Sequence, residues 1–255
     1  MIYKVNIKVN KNIFSPLFLY RLLIYIVLFL SIFYIGLQKG GRWDLNDQIL
    51  TGLSLFNKFS TAYSAGIEGS FQPITVYSFF QPLCLGLFSL FIEPKNIELI
   101  SVLFISPFLG VLFFHLLFKL SLLLSKKNDI KTYYTNLTFI SIIILLSKDY
   151  LYYLSELKPD TLALIFLILV INNLFEKTNY ELTTLNTNLK IIEIIKIFLF
   201  TFIACSTKQQ IIIPFFTLSI ILIYLRSFFL FIVINTSCLL SLLLSKFFIN
   251  DYFLY

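Results

Sequence analysis

The chain has 255 residues, of which 58% are hydrophobic and 13% are charged, and its mean hydropathy is +0.89. A soluble domain carries about 25% charged residues, so this composition excludes a water-soluble globule and predicts an integral membrane protein. The net charge of +7 comes from Lys and Arg residues spread between apolar runs, which favours contact with membrane lipids over nucleic acid binding.

The first apolar run predicts a membrane-spanning helix over residues 16–37. It follows a segment that carries Lys4, Lys8 and Lys11, as the start of a signal peptide would. No small-residue cleavage site comes after it, because the chain continues as Gln-Lys-Gly-Gly-Arg-Trp. We therefore predict an uncleaved first helix whose N-terminus lies in the cytoplasm.

A long polar stretch follows, and we expect residues 38–96 to form an external loop. Within it, residues 47–59 carry apolar side chains at helical spacing with one polar face, which predicts an amphipathic helix on the membrane surface. Residues 79–92 are apolar but shorter than the about 20 residues that a membrane span needs. This segment predicts a second interfacial or re-entrant helix; as a true span, it would reverse the side of every later loop.

Six later apolar runs predict spanning helices over residues 97–124, 134–154, 161–175, 191–206, 210–225 and 228–249. Lys148 and Asp149 interrupt the second of these runs near its end. The resulting fold class is an all-α membrane protein of about seven transmembrane helices, with one or two interfacial helices, in a single domain over residues 1–255. With the N-terminus inside, Lys and Arg are more frequent on the cytoplasmic side, as the positive-inside rule requires.

Cysteine and histidine give no sign of a metal or disulfide site. Cys84, Cys205 and Cys238 lie in apolar stretches without metal-ligand spacing, and we expect them to serve as packing residues. His115, the single histidine, lies inside an apolar run, where a hydrogen-bonded position in the bundle interior is expected.

Three polar segments that are far apart in sequence share the external face under this topology: residues 43–48, 157–160 and 206–210. They bring Asp44, Asp47 and Asp160 to that face, with Glu156 alongside, although the whole chain contains only 13 acidic residues. A single charge at a helix end is usually a headgroup anchor. Because ionisable groups beside a bilayer are costly, the convergence of three charged segments predicts a functional site.

These segments resemble the GT-C superfamily of polytopic glycosyltransferases, which use polyprenyl-phosphate-linked sugars. Within it, the chain is most similar to the protein O-mannosyltransferases and the lipid A aminoarabinose transferases. Four segments carry the resemblance, in the family's order: Trp43-Asp44-Leu45-Asn46-Asp47-Gln48-Ile49, Gln81-Pro82-Leu83, Lys158-Pro159-Asp160 and Thr207-Lys208-Gln209-Gln210 with Pro214. The chain departs from the family at Gln48, where Glu is usual, and family members continue through further spans, so a C-terminal portion of the family is expected to be missing.

The resemblance implies inverting glycosyl transfer at the external face of a multi-pass protein, in a bacterial inner or plasma membrane. The donor would be a polyprenyl-phosphate sugar, and the acceptor a hydroxyl group of unknown origin. Either Asp47 or Asp44 would be the general base. Lys208 and Lys158 would bind the donor phosphate. Asp160 would orient Lys158 or hold the acceptor, and Gln209 would bind sugar hydroxyls.

Several alternatives stay open from the sequence. No dedicated metal cage is visible, but some relatives use a divalent cation, so that cofactor is neither required nor excluded. A transporter or flippase of a surface-polysaccharide pathway is the main rival to an enzyme. An inactive fragment of a glycosyltransferase is the other.

Overall fold

The computed structural model of the protein describes residues 16–38, 45, 48, 49, 52, 79–124, 130–177 and 189–249. Within these ranges the chain is all-helical, as predicted. The amphipathic helix predicted over residues 47–59 lies largely outside them. Its described positions, Gln48, Ile49 and Gly52, are helical and buried, as is the preceding Leu45.

Apart from the isolated helical positions between residues 45 and 52, the described residues contain ten α-helices, a π-helical turn and a 3-10 turn. The helices are α1 Pro16–Gln38, α2 Phe80–Ser89, α3 Pro94–Ile100, α4 Ser106–Leu124, α5 Ile130–Leu146, α6 Lys148–Ser155, α7 Pro159–Lys177, α8 Ile191–Thr207, α9 Ile212–Tyr224 and α10 Phe228–Ile249. The π-helical turn, Ser101–Ile105, joins α3 to α4, and the 3-10 turn, Gln209–Ile211, precedes α9.

The length and apolar character of several helices suit the lipid bilayer that the composition predicts. Four segments are long and apolar enough to cross a membrane: Phe18–Gln38, Lys95–Leu124, Pro159–Glu176 and Phe228–Ser245. Helices α5 and α6 provide a fifth if the bent pair is one span. Large apolar side chains on the outer faces are exposed, as lipid contact requires. The prediction of seven spans goes beyond these four or five, since α8 and α9 are shorter.

The span predicted over residues 134–154 is not one straight helix but two helices that meet at a bend, close to the predicted interruption at Lys148 and Asp149. The chain bends by 82° between α5 and α6. Ser147 causes the break, because its side-chain oxygen caps α6 by accepting the Tyr150 N–H at 3.3 Å. Asp149 in the first turn adds a favourable charge at the helix N-terminus.

The span predicted over residues 97–124 is confirmed as a helical segment, but it contains the π-helical turn. Pro107 has no N–H, and its ring excludes the carbonyl of Leu103, four residues earlier. Leu103 lies inside the π-helical turn, which takes up the mismatch between the two α-helical stretches.

Two apolar cores stabilise the bundle, and α7 belongs to both. The first lies among α1, α4, α5, α6 and α7, where Phe114 and Leu137 are fully buried. The second lies among α7, α8, α9 and α10, around Phe215 and Ile234. Leu164 on α7 packs against both cores, so this helix holds the two halves of the bundle together.

Small side chains allow α8 and α10 to pack closely. Ser206 Oγ donates a hydrogen bond to Ser241 Oγ at 2.9 Å, and Ser237 Oγ donates to the Phe198 carbonyl at 2.7 Å. The Sγ atoms of Cys205 and Cys238, both buried, lie 3.5 Å apart. The two cysteines therefore take the packing role that the sequence predicts.

The end of the bundle at which α4 and α7 finish carries its own polar contacts. Tyr25 Oη lies 2.7 Å from His115 Nδ1, so the histidine is hydrogen-bonded inside the bundle as predicted. Lys119 Nζ forms an ion pair with Glu176 Oε1 at 2.5 Å. These contacts tie α1, α4 and α7 together at the end opposite to the predicted site.

Candidate functional site

The predicted site lies at the end of the bundle where α7 begins and α8 finishes. Pro159 occupies the first position of α7, where its missing N–H removes no helical hydrogen bond. Lys208 lies between α8 and the 3-10 turn in an extended conformation, with φ −147° and ψ 116°. Two short connections therefore present charged side chains at the same end.

Asp160 and Lys208 form an ion pair that joins the start of α7 to the end of α8. Lys208 Nζ lies 3.2 Å from Asp160 Oδ1 and 3.3 Å from Oδ2. The Asp160 side chain is 30% exposed and that of Lys208 is 15% exposed, so both charges are largely removed from water. The two residues are 48 positions apart in sequence, yet their side chains are in direct contact.

A second ion pair lies on the connection between α6 and α7. Lys158 Nζ is 3.1 Å from Glu156 Oε2, and these side chains are 18% and 12% exposed. The same ammonium lies over the Tyr153 ring, 4.3 Å from its centroid, and 5.9 Å from the Tyr152 ring centroid. Carboxylate and aromatic faces both attract a cation, so they hold the Lys158 ammonium in a defined place.

The connection between the two pairs is fixed by Leu157. This residue has a φ of 49°, in the left-handed region, which ends α6 and turns the chain towards α7. Its carbonyl accepts a hydrogen bond from Gln81 Nε2 at 2.9 Å. Helix α2 is therefore bonded directly to the segment that carries Lys158 and Asp160.

The described residues of the predicted external loop pack against the same connection. A small apolar cluster, which we call the loop cluster, is formed by Leu45, Ile49, Leu85, Ile97, Val102 and Leu157. It joins the 45–52 segment to α2, α3, the π-helical turn and the α6–α7 connection. The loop cluster therefore joins the described residues Leu45 and Ile49 to Leu157, which lies between Glu156 and Lys158 in the chain.

Two glycines let the loop segment approach α2 backbone to backbone. A Cβ atom on Gly52 would lie 2.7 Å from the Gly86 Cα and closer still to the Pro82 carbonyl oxygen. A Cβ atom on Gly86 would overlap the Gly52 backbone in the same way. Neither position has room for a side chain, so the contact depends on glycine at both.

Several side chains near the loop cluster are buried without a hydrogen-bond partner in the described chain. They are Gln48, through both of its amide atoms, Gln81, through Oε1, and Ser101, through Oγ. The sequence does not predict that Gln48 and Gln81 are buried, because burial of a loop glutamine has no signature in composition or spacing.

The structure describes four of the six predicted site residues. Lys158, Asp160 and Lys208 lie together at one end of the bundle, and Gln209 follows in the 3-10 turn, half-buried. Asp44 and Asp47 lie outside the described residues, and their roles stay predictions.

The described carboxylates of the site do not form a metal-ligand set. Each faces an ammonium group rather than a second carboxylate. Among the residues that the structure covers, no three or more His, Cys, Asp or Glu side chains group as a metal site would require. We therefore derive no step of the reaction through a divalent cation, which stays an expectation from the resemblance alone.

Comparisons of the chain with protein families, with curated proteins and with solved structures give no match.

Proposed function

We propose that the chain is a membrane glycosyltransferase that moves a sugar from a polyprenyl-phosphate donor to an acceptor hydroxyl at the external membrane face. The proposal includes seven membrane crossings and a cytoplasmic N-terminus. Helices α8 and α9 would then cross a bilayer that is locally thinner, which costs only a fraction of a kcal/mol per Å of mismatch.

The two neighbouring ion pairs carry this proposal. A lipid-linked sugar keeps its hydrocarbon tail in the bilayer and its phosphate at the surface, so its site belongs at helix ends. Lys158 and Lys208 stand at such helix ends and supply the positive charge that a phosphate requires. A partly buried ion pair stabilises a fold little compared with apolar packing, which favours a functional reason for keeping two of them together.

The proposed reaction is a single displacement at the anomeric carbon. The acceptor oxygen forms a bond to this carbon from the face opposite the phosphate, and the bond between the carbon and the phosphate oxygen breaks, with inversion. The acceptor proton passes to a carboxylate, for which Asp47 is the first candidate and Asp44 the second. The polyprenyl phosphate leaves with the bonding electron pair, and the ammonium groups stabilise its developing charge.

Fixed positions of the two ammonium groups support this mechanism. The Glu156 carboxylate and the Tyr153 ring hold Lys158, while Asp160 holds Lys208. Charges that are already oriented need little rearrangement as the phosphate leaves, which is where such groups lower a barrier most. Gln209, next to Lys208, is proposed to reach the hydroxyl groups of the sugar.

The test is a transfer assay with the purified chain in liposomes and a panel of radiolabelled, short-chain polyprenyl-phosphate sugars. Release of polyprenyl phosphate reports the reaction. We expect Asp47→Asn to lower the rate by about 10²–10⁴-fold and Lys208→Gln by about 10²–10³-fold. Lys148→Gln, at an exposed charge on α6, serves as the control and should keep the wild-type rate.

Three outcomes would overturn the proposal or a part of it. Full activity in both Asp47→Asn and Asp44→Asn would remove the proposed base. Movement of the donor across the bilayer without release of polyprenyl phosphate would identify a flippase. A chain that neither binds nor consumes any donor would be an inactive fragment.

A further inference from the structure

We propose that Cys205 and Cys238 form a redox-sensitive pair, which a small hydroperoxide converts to a disulfide that fastens α8 to α10. The two sulfurs meet where these helices pack together, one turn before α8 ends at Lys208. The contact is independent of the proposed function, because neither a donor nor an acceptor takes part in it. The pair is therefore a modification site that can be tested without any sugar substrate.

The distance between the two sulfur atoms is the first observation behind this proposal. Sγ of Cys205 lies 3.5 Å from Sγ of Cys238, although the two residues are 33 positions apart in the chain. At this distance the sulfurs are in contact without being bonded, since a disulfide joins its sulfurs at about 2.05 Å. Rotation of the two side chains is enough to bring atoms that already touch into bonding distance.

Hydrogen bonds on either side of the pair determine how α8 and α10 meet. Ser206 Oγ, one residue after the first cysteine, donates to Ser241 Oγ at 2.9 Å. Ser237 Oγ, one residue before the second cysteine, donates to the Phe198 carbonyl at 2.7 Å. Neither helix can slide or rotate against the other without breaking one of these bonds. The sulfurs are therefore held together, which favours a reaction between them.

Burial determines which oxidants reach the pair. Cys205 is 0% exposed and Cys238 is 7% exposed. Thiol–disulfide exchange requires a second sulfur compound to attack one of the two sulfurs, and tight packing blocks that approach. Hydrogen peroxide is small and uncharged, so brief side-chain motions suffice to admit it. The same packing protects the disulfide, once formed, from reduction by exchange.

The reaction consumes one molecule of hydroperoxide. The sulfur of one cysteine attacks a peroxide oxygen, the O–O bond breaks, and the thiol proton passes to the leaving hydroxide, which gives a sulfenic acid and water. The second sulfur then attacks the sulfenic sulfur, the S–O bond breaks, and the oxygen leaves with the second thiol proton as water. Two thiols are thereby oxidised to one disulfide, and the peroxide is reduced to two waters.

The disulfide closes a covalent loop that contains the 3-10 turn and α9. A cross-link of this kind stabilises a protein mainly by restricting its unfolded chain. The N–H of Lys208 donates to the Ala204 carbonyl at 3.0 Å, so Lys208 continues the same helical turn that carries Cys205. Oxidation therefore fastens to α10 the end of α8 that leads into the candidate site.

The experiment measures disulfide formation in the purified full-length chain in the detergent octaethylene glycol dodecyl ether. Cys84→Ala removes the third cysteine, so both remaining thiols belong to the pair. The protein is treated with hydrogen peroxide, unfolded in sodium dodecyl sulfate with N-ethylmaleimide, reduced, and labelled with a polyethylene glycol maleimide. We expect most chains to gain two labels each, and the intact mass before reduction to show the loss of two hydrogen atoms.

A matched control moves one thiol by a single helical position. Cys238→Ser combined with Leu239→Cys puts the sulfur on the side of α10 where Leu239 is 57% exposed. One residue turns a helical side chain by about 100°, and so away from Cys205. We expect this variant to form the intramolecular disulfide about 10-fold more slowly. Circular dichroism and size-exclusion chromatography check that it is folded.

The stability of the oxidised chain is a second measurement. We expect the apparent melting temperature of the oxidised Cys84→Ala chain to lie about 5–10 °C above that of the reduced chain. Cys205→Ser, which leaves one thiol of the pair, should stop at the sulfenic acid, which dimedone traps, and should show no such increase.

Three results would contradict the proposed pair. Thiols that stay fully reactive with N-ethylmaleimide after peroxide treatment of the folded chain would show that the two cysteines only pack. Equal rates in the Cys84→Ala chain and the shifted variant would show that the contact does not direct the reaction. A disulfide that forms without any rise in the melting temperature would show that it does not fasten α8 to α10.

Discussion

At Lys208 the chain leaves α8 in an extended conformation, and this one residue brings an ammonium group to the carboxylate of Asp160. Both partners are mostly buried, so each depends on the other to offset the loss of hydration. A pair of this kind is costly to break from one side, whereas replacing both partners by apolar residues is often nearly neutral. Stability and function can therefore be separated at these two positions.

A double-mutant cycle makes that separation. We expect Lys208→Met and Asp160→Leu each to lower the free energy of unfolding by about 2–3 kcal/mol, because each leaves a partly buried charge unpaired. The double variant should recover most of this loss, with a coupling energy of about 1–3 kcal/mol, yet show no donor binding. Unfolding of the purified protein by sodium dodecyl sulfate gives the energies, and strictly additive single effects would contradict the ion pair.

The sequence predicts the charged residues of the site better than the groups around them. Lys158, Asp160 and Lys208 could be placed at one end of the bundle because each borders an apolar run long enough to define a helix. The contact of Lys158 with the Tyr153 ring could not be predicted, because it depends on the left-handed conformation of Leu157. Which side chains a tight turn brings together is decided by packing rather than by spacing.

Helix ends follow the sequence closely where charge or proline bounds an apolar run. The predicted ranges 16–37 and 228–249 match α1 and α10 to within one residue. Interruptions inside apolar runs are predicted less well than helix ends, because hydropathy is averaged over many residues and does not detect a single capping residue. Ser147 and Pro107 are the local signals that the averaged pattern hides.

The close crossing of the loop segment and α2 gives an element-scale prediction. Gly86→Ala should lower the free energy of unfolding by about 3 kcal/mol, because its Cβ would meet the Gly52 backbone, which cannot rotate away. We also expect loss of sugar transfer, since the loop segment carries the proposed base. Thermal unfolding and the transfer assay measure the two effects.

Gly110→Ala provides the matched control on α4. The new Cβ would meet the Cδ1 atom of Ile32, the far end of a flexible side chain that can shift, so we expect a loss of about 1 kcal/mol or less. Equal destabilisation by Gly86→Ala and Gly110→Ala would show that the loop segment does not approach α2 backbone to backbone.

Over the whole molecule, the composition and the packing both indicate that the protein lies in a lipid bilayer. Apolar side chains such as Leu23, Phe104 and Leu243 remain exposed on outer helix faces, while serines and cysteines are buried between α8 and α10. This distribution is common in membrane bundles, where close packing and hydrogen bonds replace the hydrophobic effect between helices.

Cysteine labelling tests the topology on intact cells. Cys84 is first replaced by alanine, although burial raises the pKa of its thiol and slows its reaction with maleimide at neutral pH. Asn96→Cys then places an exposed thiol at the start of the segment Lys95–Leu124, and Lys131→Cys places one beyond its end. We expect a membrane-impermeant maleimide to label Asn96→Cys directly and Lys131→Cys only after permeabilisation.

Labelling of both positions from the same side would show that this segment does not cross the membrane. Labelling in the reverse order would keep the crossing but put the ion pairs on the cytoplasmic face, against the proposed topology.

Because α7 packs into both cores, its assembly has a consequence during synthesis. The ribosome delivers the chain from its N-terminus, so α7 enters the bilayer before α8, α9 and α10 have been made. Ala163 and Val170, which are fully buried in the complete protein, are then not yet covered by the later helices. Asp160 likewise has no Lys208 with which to form its ion pair. The ion pair between Asp160 and Lys208 can therefore form only after α8 has been made, because Lys208 follows that helix in the chain.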